Sequence, residues 1–229
     1  MSKSSIVYKT LLFSIVIQLI AGIISAYALT LPLKDEHSVY RELLGLDTIV
    51  QFIEASFYAI FIYFFSTIGN MATIRYYDWF ITTPIMLFTT IALFRYNSLT
   101  CVKRREKFNI FDFAKENKQS VIFILLTNFL MLLSGYLGEL KYISVPVATI
   151  IGFIFFGLSF YKMYTDYALL DESNMIYYYS FTALWALYGI AYLFNDSLKN
   201  TAYNILDIFS KNVYGLLLVY IVWMNSKLV

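Results

Sequence analysis

Two runs in this chain put charge where the surroundings are apolar. Arg75-Tyr76-Tyr77-Asp78-Trp79-Phe80-Ile81-Thr82-Thr83-Pro84 opens an apolar stretch that continues to about Phe94, and Asp207-Ile208-Phe209-Ser210-Lys211 lies inside another. A charged side chain at the centre of a membrane helix costs roughly 2.5 to 3.5 kcal/mol on insertion scales. Arg75 and Lys211 against Asp78 and Asp207 sum to zero, so burying the four together is tolerable. Burial among apolar groups disfavours an ammonium and leaves a neutral amine, which can condense with an aldehyde to a Schiff base. Once protonated, that base needs an anion beside it. Asp78 and Asp207 can supply one, with Arg75 balancing the excess. Isomerising a polyene held there would move positive charge relative to Asp78, and a proton could hop to that carboxylate. Such a light-driven charge switch uses neither metal nor nucleotide.

The spacing says which elements must hold these groups. Arg75, Asp78 and Thr82 are three and four residues apart, and Asp207 and Lys211 are four apart, so each set shares one helix face. Thr89 continues the first face two turns on, and Pro84 removes a backbone hydrogen bond and predicts a kink. The chain as a whole has 229 residues, is 60% hydrophobic and 20% aromatic, and has a mean hydropathy of +0.66. A soluble domain is nearer 45–50% apolar, at about that level. Stretches of about 20 apolar residues span a bilayer. Seven qualify, at about 6–31, 46–69, 73–95, 119–138, 143–165, 175–195 and 202–226. They predict an all-α membrane protein, a seven-transmembrane helix bundle formed by a single domain, 1–229. The first stretch is too long for a cleavable signal peptide and no small-residue cleavage site closes it. Cys101 is the only cysteine, so no disulfide framework and no cysteine metal cluster is expected. The net charge of +2 gives no sign of a nucleic-acid partner.

Outside those two motifs, Lys and Arg divide unequally. The first, third and fifth loops with the C-terminus hold Lys34, Arg41, Arg95, Lys103, Arg104, Arg105, Lys107, Lys115, Lys118, Lys162 and Lys227; the N-terminus and the other loops hold Lys3, Lys9, Lys141 and Lys199. The positive-inside rule then predicts an N-terminus outside and a C-terminus in the cytoplasm. The basic run at 103–107 reads as a solvated loop before an anionic-lipid site. The only histidine, His37, falls in the charged linker 32–45 and reads as exposed and inert.

Other polar residues within the spans carry two readings each. Ser14 and Gln18 share a face of the first helix, either as interhelical hydrogen bonders or as part of a hydrated path. Asp47, Gln51 and Glu54 form one stripe on the second helix. Asp47 could sit at a mouth, whereas Glu54 is deeper, and an intramembrane carboxylate is a functional candidate before it is a protonated packing partner. Asn204 and Asn212 flank the Asp207–Lys211 pair. In the fourth helix Ser134, Gly135 and Gly138 allow close approach of a helix or a flat ligand, with Asn128 and Met131 nearby. The fifth is rich in Gly and Phe (Gly152, Phe155, Phe156, Gly157). In the sixth, Trp185, Tyr188 and Tyr192 form a stripe that is core, interface belt or the wall of a ligand slot.

Together, Arg-Tyr-x-Asp-Trp-x-x-Thr-Thr-Pro from Arg75 and Asp-x-x-x-Lys from Asp207 resemble the third- and seventh-helix signatures of microbial (type 1) rhodopsins, and the seven spans extend the resemblance over the whole chain. The resemblance implies all-trans retinal linked to Lys211 as a Schiff base. It makes Asp78 the primary counterion and proton acceptor, Asp207 the second counterion, and Arg75 and Thr82 parts of the counterion network. It implies a retinal pocket lined by Trp79, Thr83, Gly135, Trp185, Tyr188 and Tyr192, with Met86, Met131 and Phe156. Gly189 stands where a proline is usual and Tyr192 where a tryptophan is usual, which should loosen the pocket near the ring. Asn128 replaces a carboxylic acid of bacteriorhodopsin. No metal and no enzymatic turnover are implied.

Along helix three the functional positions read Asp78, Thr82, Thr89. Outward proton pumps usually place a carboxylic acid at the third, and a threonine cannot donate a proton there. The outer end is also poor in release carboxylates, with Asp196 nearly alone and Glu139 in another loop. An acidic second helix facing Ser14, Gln18, Asn204 and Asn212 could instead line a cation path, with Asp47, Gln51 and Glu54 on it. This resembles the group 1 viral rhodopsins of giant viruses infecting algae, which implies a light-gated cation channel. A light-driven outward proton pump stands second and a sensor working through a partner third. The expected partners are the lipid bilayer and monovalent cations or protons, and a homo-oligomer is admitted.

Overall fold

The computed structural model describes residues 5–227; Lys3 lies outside them. Among these, every regular element is helical. α1 is Ile6–Ala28, α2 Ser38–Tyr63 and α3 Met71–Asn97. Two short helices follow, α4 Val102–Glu106 and α5 Ile110–Glu116. Then come α6 Lys118–Glu139, α7 Val145–Asp166, α8 Asn174–Ala191 and α9 Asp196–Asp207, with a π-helical turn, Ile208–Val213, leading straight into α10 Tyr214–Ser226. The two last pieces with the turn between them act as one broken seventh helix. Six of the long helices are long and apolar enough to cross a membrane; α8 is shorter and carries Tyr177, Tyr178, Tyr179 and Tyr188, which lower its hydropathy.

Helix ends follow from local chemistry. Ser5, Asn70 and Asn195 each accept a hydrogen bond from a first-turn amide of α1, α3 and α9. Pro84 lies inside α3 without ending it, and the hydroxyls of Thr82 and Thr83 donate to the carbonyls of Asp78 and Trp79 at 3.0 and 2.7 Å. Two expected boundaries move. α2 begins at Ser38, not near 46, because Val39, Leu43 and Leu44 already face the core and continue the helix outward past its charged residues. α9 begins at the Asn195 cap, ahead of the apolar stretch at 202. The linker expected at 32–45 therefore shrinks, and the long loop at 95–118 holds α4 and α5.

Packing runs around a ring. α1 meets α2, α2 meets α3, α3 meets α6, α6 meets α7, α7 meets α8, α8 meets α9, and the seventh helix closes on α1. The outer faces are apolar, as at Phe13, Ile23, Ile150 and Ile154, and the buried polar side chains point inward. That arrangement suits a lipid solvent, which cannot satisfy polar groups. One half of the bundle is an aliphatic and aromatic core around Met86, Leu87, Ile91, Phe94, Phe160 and Phe181.

His37 corrects an expectation. It is not an exposed loop residue. Its ring stacks on Tyr40 at 5.8 Å, with Nδ1 3.3 Å from the Tyr96 hydroxyl and Nε2 3.6 Å from Glu36. Burial pushes the imidazole below its ordinary pKa against the opposing pull of Glu36. The neutral form is thus the one the fold favours, and its contribution is lost as pH falls below the ordinary imidazole value.

Asn174 shows what a buried polar group does here. Its side-chain amide donates to the carbonyls of Phe94 (3.0 Å) and Tyr167 (3.4 Å), and its oxygen accepts from Asn97 (2.9 Å), joining α3, the end of α7 and α8. Asn174→Ala should lower stability by about 3 kcal/mol, since three such bonds are lost and each is worth roughly 1 net. A thermal melt in detergent checks it, and an unchanged midpoint would remove this junction from the fold's energetics.

Candidate functional site

The π-helical turn starts one residue after Asp207 and contains Lys211, with Asn212 donating to the Asp207 carbonyl at 3.3 Å. Lys211 Nζ lies 2.9 Å from Asp78 Oδ2, 3.6 Å from Glu54 Oε1 and 3.7 Å from Asp207 Oδ1, and all four side chains are buried. The two sequence motifs therefore meet as their charges require. Glu54 is the surprise. The stripe on the second helix sends its deepest acid to the lysine, so the cluster holds three carboxylates against Arg75 and Lys211. Both Glu54 oxygens and Asp78 Oδ1 lack a hydrogen-bond partner.

Arg75 holds the other side of Asp207. Its Nη1 bonds Asp207 Oδ2 at 3.1 Å and the Tyr58 hydroxyl at 3.2 Å; Nη2 donates to Asn204, and Nε reaches Asn200 at 3.5 Å. Tyr58 donates to Asp207 Oδ2 and Tyr188 to Asp207 Oδ1, each at 2.7 Å. Asp207 is thus saturated by three donors, whereas Asp78 takes only Lys211, with Thr82 bonding its backbone instead of its carboxylate. Sequence reading missed Tyr58, although it falls four residues after Glu54 on the same stripe.

Beside Lys211 opens a mainly apolar cavity with about 800 Å³ of empty space, part of it open to the outside. Trp79, Thr83, Met86, Met131, Gly135, Phe156, Trp185, Tyr188 and Tyr192 all line it, as does Lys211. Tyr76, Thr149, Gly152, Phe153 and Tyr203 also line it and were not expected; Tyr76 belongs to the motif that begins at Arg75, and the other four look locally like ordinary packing residues. Asn128 donates to Thr83 Oγ1 at 2.8 Å behind this wall. The loosening expected at Gly189 does not occur. Phe153 Cζ lies 2.6 Å from where a Cβ would stand, so an aromatic ring from α7 takes up the room a proline would need. Tyr192 is likewise fixed, by donating to the Gly135 carbonyl at 3.0 Å.

The profile of the bacteriorhodopsin-like protein family matches residues 8–225. The chain belongs to that family. No curated protein matches it. Among solved structures it is similar to the viral rhodopsin OLPVRII, with 33% identity, a TM-score of 0.78, and coverage of 93% of this chain and 95% of that one. Blue light-absorbing proteorhodopsin from Med12 (19%, TM-score 0.74, 96% and 98% covered) and bromide-bound halorhodopsin from Halobacterium salinarum (17%, 0.67, 97% and 95%) share the fold.

Retinal is the family's chromophore, and the residues present fit it. A mainly apolar cavity walled by Trp79, Trp185, Tyr188 and Tyr192 reaches a buried lysine with a carboxylate in hydrogen-bond contact. Lys211 would hold the aldehyde carbon, and Asp78 would face the resulting positive charge.

The remaining polar residues fall into two groups. Gln18 donates to Ser14 (3.1 Å) and Ser14 to the Asn204 carbonyl (3.1 Å), while the Asn204 amide reaches Thr10 (2.9 Å), so α1 and α9 are laced together next to Arg75. On the other side of Lys211, Gln51 donates to Asp47 (2.7 Å) and Ser25 (3.2 Å). Gly215 permits this, since a Cβ there would collide with Gln51 and Asp47. Asp47 is fully buried, which corrects the expectation of a residue at an open mouth.

Removing Arg75 leaves Asp207 buried without its cation. Arg75→Gln should cost about 3–5 kcal/mol, and Arg75→Gln with Asp207→Asn should recover a large part of it. A double-mutant cycle on thermal stability measures this. Additive losses would mean that the pair is not coupled.

Proposed function

We propose that this protein is a retinal-binding photoreceptor, formed as one domain over 1–229, that opens a cation path when illuminated. Supporting it is the position of Glu54, which is at once the deepest member of the acidic stripe on α2 and a neighbour of Lys211 Nζ at 3.6 Å. Whatever changes the charge at Lys211 changes the field at the head of that stripe. Bound all-trans retinal supplies light absorption and an isomerisation that displaces the positive charge held at its link to Lys211.

The chain's own residues do the rest. Asp78 stands at 2.9 Å from Nζ, within reach to accept a proton. Asp207, held by Arg75, Tyr58 and Tyr188, keeps its place and its charge. With the proton on Asp78, the pull that keeps Glu54 against Lys211 weakens, because the lysine-bound charge is gone. Glu54 is then free to turn along α2 toward Gln51 and Asp47, while Asn204, Ser14 and Gln18 offer oxygens on the Arg75 side. Carboxylates and carbonyls along such a route favour cations. A channel of this kind is a transporter, not an enzyme.

A light-driven outward proton pump is the second reading, favoured by the Asp78 contact. Against it, the Thr89 hydroxyl donates to the Met86 carbonyl, and Glu139 at the far end is engaged by Lys199. The distribution of Lys and Arg supports an N-terminus outside and a C-terminus in the cytoplasm.

Two outcomes test the reading. Lys211→Ala should yield colourless protein after retinal is supplied, judged by the visible spectrum. Under voltage clamp the photocurrent should reverse with the imposed cation gradient, and Glu54→Gln should move the reversal potential or lower the conductance several-fold. A current that stays outward at every voltage would establish pumping, and a Glu54→Gln current equal to that of the parent would take Glu54 off the path.

A further inference from the structure

At the end of α6 a second buried ion pair stands apart from Lys211. Lys199 Nζ lies 2.6 Å from Glu139 Oε1, with the two side chains only 8% and 6% exposed. Asn70 donates to the other Glu139 oxygen at 3.3 Å, and Asp196, almost fully exposed, lies 3.3 Å from Lys199. Lys199 occupies the first turn of α9, where the helix dipole disfavours a cation. Its place there depends on Glu139.

The pair touches the cavity through Tyr192. Lys199 Nζ is 5.7 Å from the centroid of that ring, and Tyr192 lines the cavity and bonds Gly135 on α6. Tyr188, one turn earlier, bonds Asp207 and Ser210 on the lysine side. The Tyr192 wall with Gly135 thus lies one turn of α8 beyond the part of the cavity next to Lys211, and the far end of a lysine-linked polyene is taken to rest against it.

We propose that the Glu139–Lys199 pair tunes the colour of the pigment, as a charge pair behind the Tyr192 wall that faces the chromophore's far end. This rests on retinal occupying that cavity. Light absorption by a positively charged, lysine-linked polyene moves positive charge away from the lysine. A cation near the far end opposes that movement and raises the excitation energy; an anion there lowers it. Held as a pair, the two nearly cancel. Broken, each leaves a charge behind the Tyr192 wall, Lys199 keeping only the exposed Asp196 beside it and Glu139 only the Asn70 amide.

The test is the absorption maximum of purified pigment at alkaline pH. Glu139→Gln should move it to shorter wavelength and Lys199→Met to longer wavelength, each by on the order of 10 nm or less, with Asp196 making the Glu139→Gln shift the smaller of the two. Glu139→Gln/Lys199→Met should return close to the parent. A merely structural role would move both single variants the same way, or neither, and either result overturns the proposal. If a single variant gives no pigment, Asn70→Asp decides. It keeps the α3 cap and leaves Glu139 and Lys199 in the chain, but replaces the amide that donates to Glu139 with an anion, so it should shift the maximum to longer wavelength; no shift overturns the proposal. Parent protein that forms no pigment with retinal would instead overturn the reading of the cavity.

Discussion

Lys211 and Arg75 are buried cations that can remain so because Asp78 and Asp207 are buried with them, with Glu54 a third acid beside Lys211. Each would be costly alone in a medium without water, and removing one partner strands the other. The demand reaches through the bundle, since the five groups come from α2, α3 and the broken seventh helix. Those helices must keep one register for the contacts of 2.9 to 3.7 Å around Nζ to exist. The outer faces, meeting apolar surroundings, place no comparable constraint on register.

Within that cluster the carboxylates are not equivalent. Asp207 is tied by Arg75, Tyr58 and Tyr188 and is a fixed anion. Asp78 has one side-chain donor and Glu54 has no hydrogen bond. A site that must change its charge distribution needs both sorts, a rigid reference and groups whose partners can be exchanged. The π-helical turn under Lys211 serves the same division, because it interrupts the regular ladder just where the lysine emerges. The Glu139–Lys199 pair repeats the pattern at another part of the cavity wall, where a cation at a helix N-terminus is held by a buried carboxylate with the exposed Asp196 beside it.

Much of this was legible before the fold. The run from Arg75 and the Asp207–Lys211 pair carried the charge balance, the helix face and the family resemblance, and every pocket residue expected from that resemblance lines one cavity. Boundaries were less legible. Hydropathy stops where charges begin, so it could not see that Val39, Leu43 and Leu44 carry α2 on to Ser38, or that Asn195 caps α9. The expectation of a loose pocket at Gly189 failed because the residue that fills it, Phe153, sits on another helix.

By itself the sequence determined which residues share a face and which charges must be buried together, because spacing along one helix is local geometry. It also determined the membrane class and the family. The tertiary structure alone decided that Glu54 joins Lys211, that Asp47 is sealed by Gln51 and Gly215, that His37 is packed, and that Glu139 finds Lys199 behind Tyr192. Each of these depends on the register and rotation of one helix against another. Those quantities come from packing across the whole bundle, and a single helix does not encode them.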